Sequence, residues 1–332
     1  MRYSIIVPVY NRPAEVADLL DSLEKQTMCD FEVIIVEDGS TVRCEEQCQN
    51  RSGIDVKYYY KSNEGRSIAR NYGIERSSGD WLIFFDSDCV IPSDYFDILT
   101  RELGGPASAL DAFGGPDAAH DSFTSTQKAI NYTMTSFLTT GGIRGGKVSL
   151  EKFTPRSFNM GMTRRVYDKV GGFREMFSED IDLSTRIRQA GFNIGLVADA
   201  KVWHKRRVDF KKFLRQVHVF GMSRITLKLL YPDTLKLVHA LPAIAVVIGV
   251  ALILLSIFVS PWFLAPIALY LLAIFVAAAI ATRSVLIGLK AVPAAIIQVG
   301  GYGVGFLRAW FTNIVLGRGR DIEAEIEARR GK

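Results

Sequence analysis

The chain has 332 residues, 48% hydrophobic and 23% charged, with a net charge of +5: enough apolar material for one good-sized core, with room for a second domain. Its four cysteines, Cys29, Cys44, Cys48 and Cys89, form no disulfide framework and suit a reducing compartment, which argues against a disulfide-stapled scaffold. The mean hydropathy of +0.15 is high for a soluble enzyme, so the apolar excess must be concentrated somewhere.

In chain order, MRYSIIVPVYNRP has too short an apolar run before Pro8 to be a signal-peptide core, and the first 230 or so residues are expected to stay in the cytoplasm. YSIIVPV, FEVIIVE, VKYYY and WLIFFD are β-rich runs separated by helical stretches such as Pro13 to Gln26 and Ser67 to Arg76. That alternation predicts an α/β fold with a mostly parallel sheet and helices on both faces. Ligands in such sheets bind beyond the carboxyl ends of the strands. The residues there are polar: Tyr10 and Asn11 after the first strand, Asp38, Gly39 and Ser40 after the second, Asp86 and Asp88 after the fourth. Cys44 and Cys48, with no second pair nearby, read as a helix face and not as a metal site.

Further along, Gly141, Gly142, Gly145 and Gly146 make a loop with few conformational limits, a lid over a ligand or a plain linker. FSEDIDLSTRIRQAGF opens a helix with Glu179, Asp180 and Asp182, where the positive helix end favours anions. His204 follows an apolar strand, as a residue of the sheet edge or a phosphate contact. In KRRVDFKKFLRQVHVF, Phe210, Phe213, Leu214, Val217 and Phe220 recur at helical spacing, with Lys211, Lys212 and Arg215 on the other face. This is a helix of the lipid headgroup layer, or a basic solvated helix docked by its apolar face on the catalytic domain. A nucleic-acid partner is not expected, because the patch abuts membrane spans.

Leu241 to Val259 and Trp262 to Ala281 carry no charged side chain, and each has about the length needed to cross a bilayer. Lys228, Lys236, Arg283 and Lys290 flank the pair, while the Ser260–Pro261 connection is uncharged, which puts both outer ends in the cytoplasm. A third crossing by Val292 to Leu316, which holds Gln298 and Arg308, would carry Arg318, Arg320, Arg329 and Arg330 outside; an interfacial or re-entrant helix is expected instead.

Taken together, VPVYNRP, VEDGS, GRSIARNYGI, DSD, GGF at Gly171 to Phe173 and the Glu179–Asp180 pair resemble family 2 glycosyltransferases of the GT-A fold, whose catalytic domain is Rossmann-like. The resemblance runs from roughly Tyr3 to Lys205 and continues into FLRQVHVFG and the paired spans of membrane-attached members. Glu37 stands where the family more often has aspartate, and the QxxRW motif of processive synthases is missing, which argues against polymerisation. The implied organisation is a nucleotide-sugar-binding and catalytic domain over 1–205, a basic interfacial region over 206–236 and a membrane domain over 237–332.

The resemblance also implies roles. A hard cation, Mn2+ or Mg2+, held by carboxylates can bind and neutralise a departing diphosphate; Asp88 would reach it directly, Asp86 would reach it through water or bind the ribose, and His204 would complete the site. Pro8, Tyr10, Asn11 and Asp38 would line the donor pocket, with Asp38 on the base. Arg66 or Arg70 would pair with the diphosphate, or serve equally as helix-surface ion-pair partners. Asp180 would be the base, set by Glu179, with Asp182 satisfying the helix start. Asp117, His120 and, in PRSFNMGMTRR, Asn159 would face the acceptor. The implied activity is inverting, metal-dependent transfer from a nucleotide diphosphate sugar, a UDP-sugar favoured, to a lipid-linked or membrane glycan at the cytoplasmic face of the inner membrane by a multi-pass protein embedded among membrane lipids. The alternatives are a polyprenyl-phosphate acceptor, or a catalytically silent nucleotide-sugar-binding scaffold, which would have no need of a base.

Overall fold

The computed structural model describes residues 2–330 apart from 29, 105–108, 119–122, 142–152, 205–208 and 320, and apart from the side chains of 118, 204, 323, 327, 329 and 330. The elements of the first part are β1 (Tyr3–Val9), α1 (Pro13–Leu23), β2 (Phe31–Asp38), α2 (Glu45–Cys48), β3 (Asp55–Lys61), α3 (Arg66–Glu75), β4 (Trp81–Phe85), β5 (Cys89–Val90), α4 (Tyr95–Leu103), β6 (Ala112–Gly114) and β7 (Asp117–Ala118). They continue with α5 (Ser125–Thr135), α6 (Phe137–Thr140), β8 (Asn159–Thr163), α7 (Arg164–Val170), α8 (Glu179–Gln189), β9 (Ile194–Leu196) and β10 (Val202–His204). The carboxyl-terminal part is helical: α9 (Phe210–Leu230), α10 (Leu237–Phe258), α11 (Ala265–Thr282), α12 (Val285–Ala309) and α13 (Ile322–Arg330).

Seven strands form one sheet in the order β3-β2-β1-β4-β8-β6-β9, and a small second sheet has the order β5-β10-β7. The first four strands of the large sheet run parallel, and β8 is antiparallel to both its neighbours. Strand order reverses between β1 and β4, and the crevice beyond their carboxyl ends is where a doubly wound sheet takes its ligand.

Alternation along the strands builds two apolar layers. Ile5, Val7 and Val9 of β1 pack with Leu19, Leu20 and Leu23 of α1 on one face, and Ile6, Ile34 and Phe84 pack with Ala69 and Ile74 of α3 on the other. Both faces being covered, the strands read as unbroken apolar runs. Pro13 starts α1 because its fixed φ suits the first helical turn and its missing N–H has no partner there anyway. One exception to this apolar layering is Glu32 on β2, fully buried. Its carboxylate accepts from Ser4 Oγ at 2.6 Å, Lys57 Nζ at 2.5 Å and the Ser78 amide at 2.6 Å. Burial alone would raise its pKa, but these donors hold it down at about 2.

The chain divides into two compact units, Met1–His120 with Phe153–Lys205 and Ile326–Lys332, and Asp121–Lys152 with Arg206–Glu325. The second unit thus takes α5 and α6, which the sequence places between β7 and β8, together with α9 to α12. Thr124 and Gln127 cap α5 reciprocally, and Ala129 of α5 packs on Ile274 and Ala278 of α11 and Ala291 of α12. The apolar face of the basic helix α9, Phe213 and Val217, is buried with Ile130, Met134 and Ala294, so it is covered by α5 and α12. Leu237–Phe258, Pro261–Thr282 and Val285–Val315 are each long and apolar enough to cross a membrane. Residues 292–316, expected as a separate interfacial or re-entrant segment, begin inside α12, which runs unbroken through Pro293.

Candidate active site

The polar ends of β1, β2 and β4 meet as a set of loops that brace one another. Asn11 adopts the left-handed conformation at φ 53°, and its Oδ1 accepts from the amides of Thr41 at 2.8 Å and Val42 at 2.9 Å. It thereby ties the loop after β1 to the loop after β2, while Tyr10 beside it stays exposed. Pro8 lies within β1, paired with Val36. The Asp38 carboxylate is enclosed: Lys61 Nζ and the Glu64 amide donate to Oδ1, both at 2.9 Å, and the Gly65 amide donates to Oδ2 at 2.9 Å. The bend it pins requires glycine, because Gly65 sits at φ 105° and a β-carbon there would lie 2.6 Å from Glu175 Oε1.

Asp86 and Asp88 follow β4 in a tight turn closed by the Cys89 amide donating to the Asp86 carbonyl at 3.1 Å. Arg12, at the start of α1, reaches Asp88 Oδ2 at 3.2 Å. Burial, and then the charges of Asp88 and Asp86, push the Cys89 thiol well above its ordinary pKa, a mark of negative potential at this turn.

Arg70 is the hub of the site. It is 1% exposed and donates to Asp86 Oδ1 at 2.7 Å and to Glu179 Oε1 at 3.0 Å, while Arg66 donates to Glu179 Oε2 at 2.8 Å. Of the two arginines considered for the diphosphate, Arg70 is therefore enclosed by carboxylates, and Arg66, with its side chain 53% exposed, is the one that reaches the surface. Burial raises the Glu179 pKa against the pull of both guanidinium groups.

Glu179 and Asp180 open α8, whose first residue follows Ser178 in the left-handed conformation at φ 64°. Asp180 Oδ1 accepts from the Ile181 amide at 2.8 Å, and its Oδ2 lies 3.6 Å from Arg156 Nη1. Asp182 is fully buried and is held by two bonds from Arg186, at 2.9 and 2.8 Å.

Other sequence candidates fall elsewhere. Asn159 is fully buried, accepting from the Tyr95 hydroxyl at 2.5 Å and donating to the Ala200 carbonyl at 2.8 Å, bonds that lock the interior. Asp117 begins β7, in register with Val202. His120 lies outside the described residues, as do Gly142, Gly145 and Gly146 of the glycine loop. Arg12 and Arg156 were not singled out from the sequence, although both lie within motifs that were, VPVYNRP and PRSFNMGMTRR.

Among the described residues no three His, Cys, Asp or Glu side chains cluster as a metal-ligand set. The donor chemistry nonetheless fits a hard divalent cation: two carboxylates stand on one turn, Asp88 already attracts the positive charge of Arg12, which a cation would displace, and the backbone of His204 is paired with Cys89, one residue past Asp88.

GlyA of Streptococcus pneumoniae is 38% identical over 104 residues, 31% of this chain and 15% of that protein. An uncharacterized glycosyltransferase of Haemophilus influenzae is 48% identical over 90 residues, 27% of this chain and 30% of that protein. The chain thus spans under a third of the length of either relative. The solved mannosyltransferase PcManGT of Pyrobaculum calidifontis, in complex with GDP-Man and Mn2+, superposes with a TM-score of 0.58 at 16% identity, over 94% of this chain and 87% of that one, a likeness of fold. The profile of glycosyl transferase family 2 matches residues 4–171, just over half the chain, and spans the strand ends, the Asp86–Asp88 turn and Arg70; the chain belongs to that family.

Proposed function

We propose that this glycosyltransferase moves a sugar from a nucleotide diphosphate sugar, first among candidates a UDP-sugar, to a lipid-linked glycan at the cytoplasmic face of the inner membrane, with inversion and with Mn2+ or Mg2+. The carrying observation is the arginine that Asp86 and Glu179 share: Arg70 joins the carboxylate turn after β4 to the helix that opens with Glu179 and Asp180. When bound at Asp88 and Asp86, with His204, a divalent cation would neutralise charge on the departing diphosphate. Arg66 supplies a surface guanidinium for the same phosphates. The Asp180 carboxylate, with Oδ1 accepting from the Ile181 amide and Oδ2 beside Arg156, takes the proton from the acceptor hydroxyl as that oxygen attacks the anomeric carbon. Glu179, clamped by two arginines, fixes the helix start from which Asp180 projects. A single base and direct displacement invert the anomeric centre.

A membrane acceptor is supported by the apolar helices and by α5 and α6, which lie in sequence between the donor motifs and the base yet belong to the same compact unit as those helices. A second acceptor, polyprenyl phosphate, is favoured by Arg156, a cation beside Asp180 suited to an anionic nucleophile.

The test is to incubate purified protein in lipid with a panel of UDP-, GDP- and dTDP-sugars and either acceptor class, with Mn2+ or with EDTA. One nucleotide diphosphate should be released in step with glycosylated lipid, and EDTA or Asp88→Ala should abolish release while circular dichroism stays unchanged. Undiminished release in EDTA would overturn the metal-dependent reading.

A further inference from the structure

Of the three apolar helices, α12 differs in how it meets its neighbours. Near its start, a β-carbon on Gly288 would stand 2.9 Å from the Phe275 carbonyl oxygen of α11, and Ile287, Ala291 and Ala295 pack with Ile274 and Ala278. Near its end, a β-carbon on Gly303 would stand 2.5 Å from the Pro242 carbonyl oxygen of α10, and Phe306 and Ala309 pack with Ala243. Residues 274–279 lie in the second half of α11 and residues 242–246 in the first half of α10. The turn at Pro261–Leu264 joins the opposite ends of those two helices. α12 therefore meets α11 near its own start and α10 near its own end, in each case on the half of that helix away from the turn, and runs across the pair instead of along it.

Charge points the same way. Gly301 packs on Leu214 and Val217, and β-carbons on Gly305 and Gly221 would overlap the backbone of the facing helix. Over residues 294–309, α9 thus lies in backbone contact with α12. Along its length α9 carries Lys211, Lys212, Arg215, Arg224 and Lys228. Were α12 to cross the bilayer, α9 would go in beside it, and each Lys or Arg near the midplane costs about 2.5–3.5 kcal/mol on insertion scales. The faces of α12 that α5, α9, α10 and α11 leave open carry Leu286, Leu289, Ile296, Val304 and, just beyond its end, Phe311, all exposed and nearly in line. Like the exposed apolar residues of α10 and α11, this stripe is matched chemically by hydrocarbon.

We infer that α12 is a monotopic, in-plane membrane helix: its apolar stripe is buried in the acyl chains of one leaflet, α9 lies against it with its basic side chains at the headgroups, and only α10 and α11 cross. The tail after Val315 then lies on the same side as the amino-terminal end of α10. The inference rests on the proposal that α10 and α11 span a bilayer, and the experiment separates the two.

The full chain, with Cys29→Ser and with Cys44, Cys48 and Cys89 left buried, is placed in lipid nanodiscs with single nitroxide labels at Leu286→Cys, Leu289→Cys, Ile296→Cys and Val304→Cys. Labels at Ile253→Cys and Leu269→Cys serve as span controls, and oxygen against nickel-chelate accessibility gives the depth of each label. All six positions are exposed, so the labels displace no packing. The four α12 labels should lie at one depth within a few ångströms, with the controls deeper. A spanning helix would spread positions 286 to 304 over about 27 Å, at 1.5 Å per residue; that gradient overturns the in-plane assignment while leaving the spans intact. Controls that sit in water would overturn the membrane reading itself, and the in-plane helix with it.

Discussion

Arg70 is the residue on which most of the site depends. With Arg70→Met, Glu179 keeps only the surface arginine, Asp86 loses one of its partners, and a buried carboxylate is left short of countercharge; a loss on the order of 3 kcal/mol in chemical denaturation, with turnover down by 100-fold or more, is expected. Arg70→Lys should not rescue it, because one ammonium cannot serve two carboxylates with a fixed fork. Asp182→Asn weakens the Arg186 and Arg174 pairs, so it should lower stability and leave most of the turnover. Glu32 offers a pH test away from the site. Its folded pKa, about 2, lies below its ordinary 4.5, so its contribution is present above pH 4.5 and is lost as pH falls through 2. The stability gap between the parent protein and Glu32→Gln, measured by denaturant midpoints at a series of pH values, should be widest near neutrality and narrow over that window. A gap independent of pH would show that Glu32 acts by packing alone.

Among the elements, the glycines of α12 divide into two kinds. Gly305 faces the His218 backbone with no room for a methyl group, whereas Gly300 faces open space. Gly305→Ala should destabilise the second unit by roughly 1–3 kcal/mol through overpacking, and Gly300→Ala should be neutral or stabilise by up to about 1 kcal/mol through helix propensity; thermal unfolding in detergent distinguishes them. The strands and the amphipathic helices were legible because their apolar period matches their burial. The extent of α12 was not, since glycines and Pro293 read as breakers in sequence, while here the glycines allow close helix contact and Pro293 sits in a helix held by its neighbours. The basic helix α9 showed its apolar stripe in sequence, but which surface covers that stripe is a matter of tertiary packing.

For the whole molecule, the order of motifs was enough to identify the fold and the family, because Asp86, Asp88, Glu179 and Asp180 sit at strand and helix ends that a doubly wound sheet gathers at one edge. What escaped the sequence was pairing over distance: Arg12 with Asp88, Arg70 with both Asp86 and Glu179, and Arg156 with Asp180 are set by topology, and nothing in local spacing selects them. Asn159 shows the converse, a polar residue in a suggestive motif whose amide is satisfied inside the core. The central claim, that Asp180 is the base of a sugar transfer to a membrane acceptor, is met most directly by Asp180→Asn in the full chain reconstituted in lipid, with donor affinity from calorimetry measured beside turnover on a lipid-linked acceptor. Donor affinity should be nearly unchanged while transfer falls by roughly 100- to 10,000-fold, the range for a lost general base. Transfer near the parent rate, or a collapse of donor binding equal to the loss of turnover, would contradict it.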